Sequence, residues 1–230
     1  MSTPAAHVGE EWLRRVEAEY TSAAITASFV QWLIRLGAPP ELIRDGLRIV
    51  DDELEHASLS HVVARDAGCD ARPRLAQERL GLDRADVPLE VDALLVAVET
   101  FCLGETVAVP LFAAMRRHCS VDSARAALDR IVVDEVRHRD FGWSCLDWCT
   151  QAFGDDARAH VERALPAMMA RLRRNYGQPG EAPSPDTEDR DAAWGLLPVA
   201  RYAEILTRCI QRDYVPRFAA LGIASPALAV

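Results

Sequence analysis

From about Gly9 to Leu36, apolar side chains return every three to four positions. Ala23, Thr26 and Val30 share one stripe of a helix, while Arg14 and Glu17 lie on its polar side. "GAPP" at 37–40 closes that helix, because Gly permits a helix stop and paired Pro prevents continuation. A second helix is predicted from about Glu41 to Ala67, ending at Gly68. The segment 68–88, "GCDARPRLAQERLGLDRADVP", carries two Pro, many charges and only a short helical run, and is long for a link between neighbouring antiparallel helices. A third helix, about Leu89 to His118, places Val98, Phe101, Cys102, Ala108 and Phe112 on one stripe. A fourth, about Asp122 to Phe153, starts after the polar "SVDS" and stops at Gly154; a fifth runs from about Asp155 to Asn175. The Pro- and acid-rich stretch 176–195 reads as loop, and a last helix fills about Pro198 to Ala220. The pattern contains no convincing run of strands and no repeat of fixed period.

The expected fold is therefore all-α: two helical hairpins, a long crossover between helices 2 and 3, and two further helices at the C-terminal end. A chain of 230 residues suits one domain. We assign residues 1–230 to a single domain, with a bundle core at about 9–153 and a C-terminal helical extension at about 155–220.

Several polar residues interrupt the apolar stripes. "VDDELEHAS" at 50–58 and "VVDEVRHRDFGW" at 132–143 repeat the order Asp-Glu-x-x-His. Residues three apart share a helix face, so Glu53 with His56, and Glu135 with His138, can each offer a carboxylate and an imidazole to one metal. One Glu-x-x-His is a weak signal; two, each preceded by Asp, are much less easily accidental. Asp52 and Asp134 sit four residues before their histidines. Each can accept the second ring N–H of a ligating His, on its own or the facing helix, or else lie toward solvent as an ordinary helix charge.

A dinuclear site also needs one Glu from each remaining helix. In the first, Glu19 continues the inward stripe and is chosen over Glu17; in the third, Glu105 lies on the apolar stripe and is preferred to Glu99, which stays the fallback. Depth agrees with this choice. Glu19 lies about 27 Å before the first turn and Glu53–His56 about 20–24 Å after it, while Glu105 and Glu135–His138 lie about 20–24 Å either side of the second. Pro110, five residues after Glu105, should kink or bulge the third helix. Four carboxylates and two imidazoles without thiolate suit iron or manganese rather than structural zinc.

Composition narrows the function classes. Net charge is −9, with no basic block, which argues against nucleic acid or an anionic membrane as the main partner. All 26 basic residues are Arg; without Lys there is no Schiff-base or pyridoxal phosphate chemistry and no P-loop. The six cysteines are scattered without a Cys-x-x-Cys pair, as expected of free thiols in a reducing compartment. The N-terminus lacks a secretory pattern and no uninterrupted apolar run reaches membrane-spanning length, so a soluble cytoplasmic protein is expected.

"EYTSAAITASFVQWLIRLGAPPELI", "DDELEHA", "CLGET" and "DEVRHRDFGW" resemble the ferritin-like di-iron carboxylate superfamily, and more closely its small stand-alone bacterial members. The resemblance covers about residues 10–150 well and the C-terminal part more loosely. It implies a ferritin-like four-helix bundle, with metal-ligand roles for Glu19, Glu53, His56, Glu105, Glu135 and His138 and supporting roles for Asp52 and Asp134. It also implies two iron ions, or a manganese–iron pair, with O2 as co-substrate. A homodimer through the bundle face is common in that superfamily.

The small residues Ser22, Ala23, Thr26, Ala108 and Gly142, together with Cys102, lie beside the expected ligands and either leave space for a small-molecule substrate or merely allow close helix packing. The main expectation is a non-haem di-iron oxygenase or oxidase acting on a small organic molecule in a specialised biosynthetic pathway, with no separate catalytic residue beyond the metal pair. A monooxygenase would draw on an external electron donor, because no flavin or nicotinamide fingerprint is present. The alternatives are an iron-handling ferroxidase or storage protein, and a metal-stabilised scaffold.

Overall fold

The computed structural model describes residues 6–176 and 185–225. Among these residues the fold is all-α, without strands. Its helices are α1 (Ala6–Arg35), α2 (Pro40–Asp66), α3 (Leu89–Arg117), α4 (Asp122–Tyr176), α5 (Pro185–Ala193) and α6 (199–220).

The α1–α2 turn forms as its sequence dictates. Gly37 takes φ 72°, a left-handed conformation that costs Gly little, and the Ala38 N–H bonds back to the Leu33 carbonyl at 3.0 Å. Pro39 and Pro40 then start α2, where a missing N–H costs nothing. The connection after α2 carries only a short 3-10 turn, Gln77–Arg79. It is tied down nonetheless: the Arg74 N–H donates to Glu17 Oε1 at 2.6 Å, and Arg84 lies 5.7 Å over the Trp32 ring while pairing with Asp92.

Helix α3 widens to π-helical geometry over Ala97–Glu105 and returns to α-helix at Thr106, so the bulge expected from Pro110 lies one turn before the proline. By length and composition α3 could cross a membrane, but half of its most apolar stretch is buried inside this protein. Helix α4 is broken at Gly154 (φ 69°, ψ −151°), the expected stop. Arg171 reaches back to Glu99 of α3, so the chain reverses direction at Gly154 and its second half runs alongside the first.

The stretch 176–195, expected to be loop throughout, contains α5; residues 177–184 lie outside the described set. Its sequence "SPDTED" carries a helix-start signal, Pro in the first turn with acidic residues after it, which the turn-like composition masked. The segment after α5 docks through the Trp12 indole N–H, which donates to the Trp194 carbonyl at 3.0 Å.

Two apolar regions flank the middle of the long helices. Toward the α1–α2 turn, Phe29, Phe101 and Phe141 pack with ring centroids 5.1–6.2 Å apart, beside Trp32, Leu33 and Ile49. Toward the opposite end, Trp12, Val63, Val107, Met115 and Leu128 belong to the larger cluster, which α6 joins through Phe218 and Tyr214. Between them lies a belt of buried charge.

Candidate metal centre

Each of the four long helices sends acidic residues into this belt, and α2 and α4 add a histidine each. Glu53, His56, Glu135 and His138 are at most 2% exposed, and Glu19 is 7% exposed. Burying so many ionisable groups costs several kcal/mol apiece unless they are paired. The pairing is therefore informative.

The histidines are held crosswise. His56 Nε2 of α2 lies 3.1 Å from Asp134 Oδ2 of α4, and His138 Nε2 of α4 lies 3.3 Å from Asp52 Oδ2 of α2. An ionised carboxylate only accepts, so each Nε2 carries a proton and donates it, turning Nδ1 inward. Of the two arrangements open for these aspartates, the structure adopts the facing-helix one; both are buried rather than turned to solvent. Above them sit two arginines. Arg137 Nη2 bridges Asp52 Oδ2 and Asp134 Oδ1, both at 2.7 Å, while Arg130 reaches Asp134 Oδ2 at 2.6 Å and Asp52 Oδ1 at 3.2 Å.

On the inner side, donor atoms converge without partners. Glu19 Oε1, Glu53 Oε2, His56 Nδ1, Glu135 Oε2 and His138 Nδ1 are buried and make no hydrogen bond. Ligand atoms of Glu19, Glu53 and His56 lie within 4.8 Å of one another, as do those of Glu53, Glu105 and His138. Either triad could hold a metal ion, and Glu53 belongs to both. Glu135 completes the cluster, its Oε2 3.9 Å from His138 Nδ1. Orphaned buried oxygens and nitrogens clustered this closely are what a cation would satisfy, so this donor set fits a metal.

The electrostatics point the same way. Burial raises Glu19, Glu105 and Glu135 above the ordinary carboxylate range; the neighbouring charge of Glu53 raises Glu19 and Glu105 further, and that of Glu105 does the same for Glu135. Burial also works against ionisation of Asp52, yet its hydrogen bonds with His138 and Arg137 win and bring it to about 2. Glu53 is lowered likewise, burial being outweighed by His138 and His56. Burial disfavours a charged His138, but Asp52 and Glu53 raise it to about 10. Without a metal, its Nδ1 also holds a proton that a cation would have to displace.

A cavity of about 550 Å³ opens onto this cluster. Glu19, Glu53, Glu105 and Glu135 lie on its wall, with Ala18, Ser22, Leu103, Gly104, Ala108 and Phe112; Met168, Leu172 and Tyr176 come from the returning half of α4. Ser22 also donates its hydroxyl proton to Glu53 Oε1 at 2.8 Å.

The small residues expected beside the ligands separate into two groups. Ser22 and Ala108 line the cavity. Ala23, Thr26 and Cys102 are buried in helix packing away from it. Gly142 leaves no room for a ligand: a Cβ there would stand 2.6 Å from the Phe101 backbone, so its smallness lets α4 press against α3. The fallback Glu99 is engaged by Arg171, Nη2 to Oε2 2.8 Å, on the surface side of the cavity, whereas Glu105 is the α3 carboxylate that reaches the cluster.

Sequence reasoning passed over Arg15, Arg130 and Arg137. The last two had a signal, since Arg130 and Arg137 stand four before and three after Asp134 and so share its helix face. The returning half of α4 could not be placed over the cavity from sequence, because nothing local specifies the angle at Gly154.

Comparison with protein-family models, curated protein sequences and solved structures gives no match. The chemistry of the centre accordingly rests on its own residues.

Proposed function

We propose that this chain is a ferritin-like di-iron carboxylate protein that uses O2 to oxidise a small organic molecule. The observation that carries the reading is the cavity of about 550 Å³ whose inner wall is the carboxylate cluster itself. A metal pair so placed would be within reach of a bound substrate and partly screened from water.

The roles of the chain's residues follow. Glu19 with His56, and Glu105 with His138, would hold one ion each, with Glu53 available to both and Glu135 beside them. Asp52 and Asp134 would orient the imidazoles, keep the protons on Nε2 and raise the basicity of the ligand histidines, while Arg130 and Arg137 pair with those aspartates and hold them in place. Two ferrous ions held there would supply the two electrons that a hydroxylation consumes with O2 and two protons as it releases water, the other pair coming from the substrate bond, and an external donor would return two electrons to the irons. The apolar wall of Ala18, Leu103, Ala108, Met168 and Leu172 would exclude water from the reacting C–H or N–H bond.

A ferroxidase reading would favour free acidic groups leading iron inward. Here Glu11 and Glu99 at the cavity are occupied by Arg14 and Arg171. Anaerobic reconstitution with ferrous iron, metal counting and then O2 exposure tests the proposal. Two irons per chain are expected, with loss of binding in Glu135→Ala and His56→Ala. A stoichiometry well below two, or unaltered binding in both variants, would sink it, and turnover confined to bulk ferrous oxidation with mineral formation would favour iron handling.

A further inference from the structure

Among the described residues, the cavity wall holds one cation without an ion-pair partner. Of its three arginines, Arg14 is bound by Glu11 and Arg171 by Glu99. Arg15 stands one helical turn before Glu19 and shares its face. Its guanidinium carbon lies 4.4 Å from the Trp12 ring centroid and 4.9 Å from that of Phe112, so the planar group is clamped by two aromatic rings. The clamp fixes its position but does not satisfy its hydrogen bonds. Nη2 meets only the Met115 sulfur, at 3.2 Å, and Nη1 is buried with no hydrogen-bond partner. Among the described residues Arg15 makes no ion pair, and burial lowers its pKa.

Charge counting shows what is missing, and it rests on the two-metal reading proposed above. Two divalent ions balance Glu19, Glu53, Glu105 and Glu135, while Arg130 and Arg137 balance Asp52 and Asp134. Once Glu19 is committed to an ion, Arg15 is left as one positive charge on the cavity wall with a buried Nη1 and no ion pair among the described residues, where an unpaired ion is costly. A rigid guanidinium fork matches a carboxylate or a phosphate in two-point contact, and a single leftover positive charge is balanced by the one charge of a carboxylate rather than the nearly two of a phosphate monoester.

We propose that the substrate is a monoanionic carboxylic acid with an apolar body, its carboxylate held by Arg15 and its body lying along Ala18, Leu103, Ala108, Phe112, Met168 and Leu172 beside the metal ligands. Arg15 would then determine specificity for the acid over neutral analogues and set which carbon or nitrogen faces the metals.

The test uses the full chain loaded anaerobically with ferrous iron, with octanoate and octanamide as probes, affinities from titration calorimetry and iron counted in every sample. Octanoate should bind the wild type about tenfold or more tighter than octanamide, as loss of a charge-assisted contact implies. In Arg15→Gln that preference should fall to near unity with two irons retained. Arg15→Lys, which keeps the charge but loses the planar fork, should keep a preference reduced several-fold. Equal binding of the two probes to the wild type, or an undiminished preference in Arg15→Gln because the irons themselves hold the carboxylate, overturns the inference while leaving the metal reading intact. If Arg15→Gln does not fold, the wild-type ratio and Arg15→Lys decide. Failure of the wild type to bind two irons overturns both.

Discussion

Asp134 does for His56 what Asp52 does for His138, and each acts across the gap between α2 and α4. Replacing Asp134 with Asn keeps size and packing but removes the acceptor charge that holds the His56 proton on Nε2. Metal affinity should fall about 10- to 100-fold while the helix content by circular dichroism stays unchanged. A competition titration against a chelator of known affinity measures it, and an affinity within about twofold of wild type would refute the role. At this scale the site was largely legible, because Glu19, Glu53, His56, Glu105, Glu135 and His138 stand on stripes that are otherwise apolar. What could not be read was the partner of each group. Whether an aspartate turns to its own histidine or the opposite one, or an arginine on α1 finds a carboxylate or two aromatic rings, depends on distances between helices that no local pattern encodes.

At the scale of helices, the contact of α3 with α4 is set by glycine. In Gly142→Ala the added methyl group would meet backbone atoms of Phe101 and Cys102 at 2.6–2.9 Å, and backbone cannot swing aside as a side chain can. The helices must separate, which should lower stability by about 1–3 kcal/mol in urea unfolding. Gly104→Ala is the control, since its methyl group would meet only the Glu99 carbonyl, at an ordinary 3.7 Å. Stability of Gly142→Ala equal to that of the control would show that the interface is looser than drawn. The wide turn at 97–105 is braced from outside: the Tyr214 hydroxyl donates to the Leu103 carbonyl at 2.6 Å, and the Trp143 indole donates to the Thr106 hydroxyl at 2.9 Å. Helix boundaries were mostly readable because Gly and Pro mark them in "GAPP" and at Gly68 and Gly154. α5 was not, because the Ser, Pro and Asp that start a helix are also the residues that make a turn.

For the whole molecule, the buried acids make stability depend on both pH and metal. Glu19, Glu105 and Glu135 have folded-state values above their unfolded ones, so their contribution is present below about pH 4.3 and is lost as pH rises through the elevated values. Asp52 runs the other way, stabilising above its unfolded value of about 3.9 and losing that contribution as pH falls toward 2. A bound cation favours the ionised forms and removes the penalty of the first group. The metal-free protein should therefore lose melting temperature as pH rises above about 4.3 while the loaded protein holds its own, so the gap between them widens with pH. Parallel melting curves test this, and a gap that narrows with rising pH would contradict the charge states described. The all-α class and the long crossover followed from helix lengths and spacing. The cavity did not, because its outer wall is chain returned to the site by one backbone angle.

Glu53, common to both triads, makes the two binding positions mutually dependent. An ion taken up beside Glu19 and His56 would restrict Glu53, so the second ion would meet a ligand already oriented. Uptake should then be steeper than two independent events, with a Hill coefficient above one in a ferrous titration followed optically. Glu53→Ala, which removes a ligand from both positions, should weaken uptake at both rather than abolish one and spare the other.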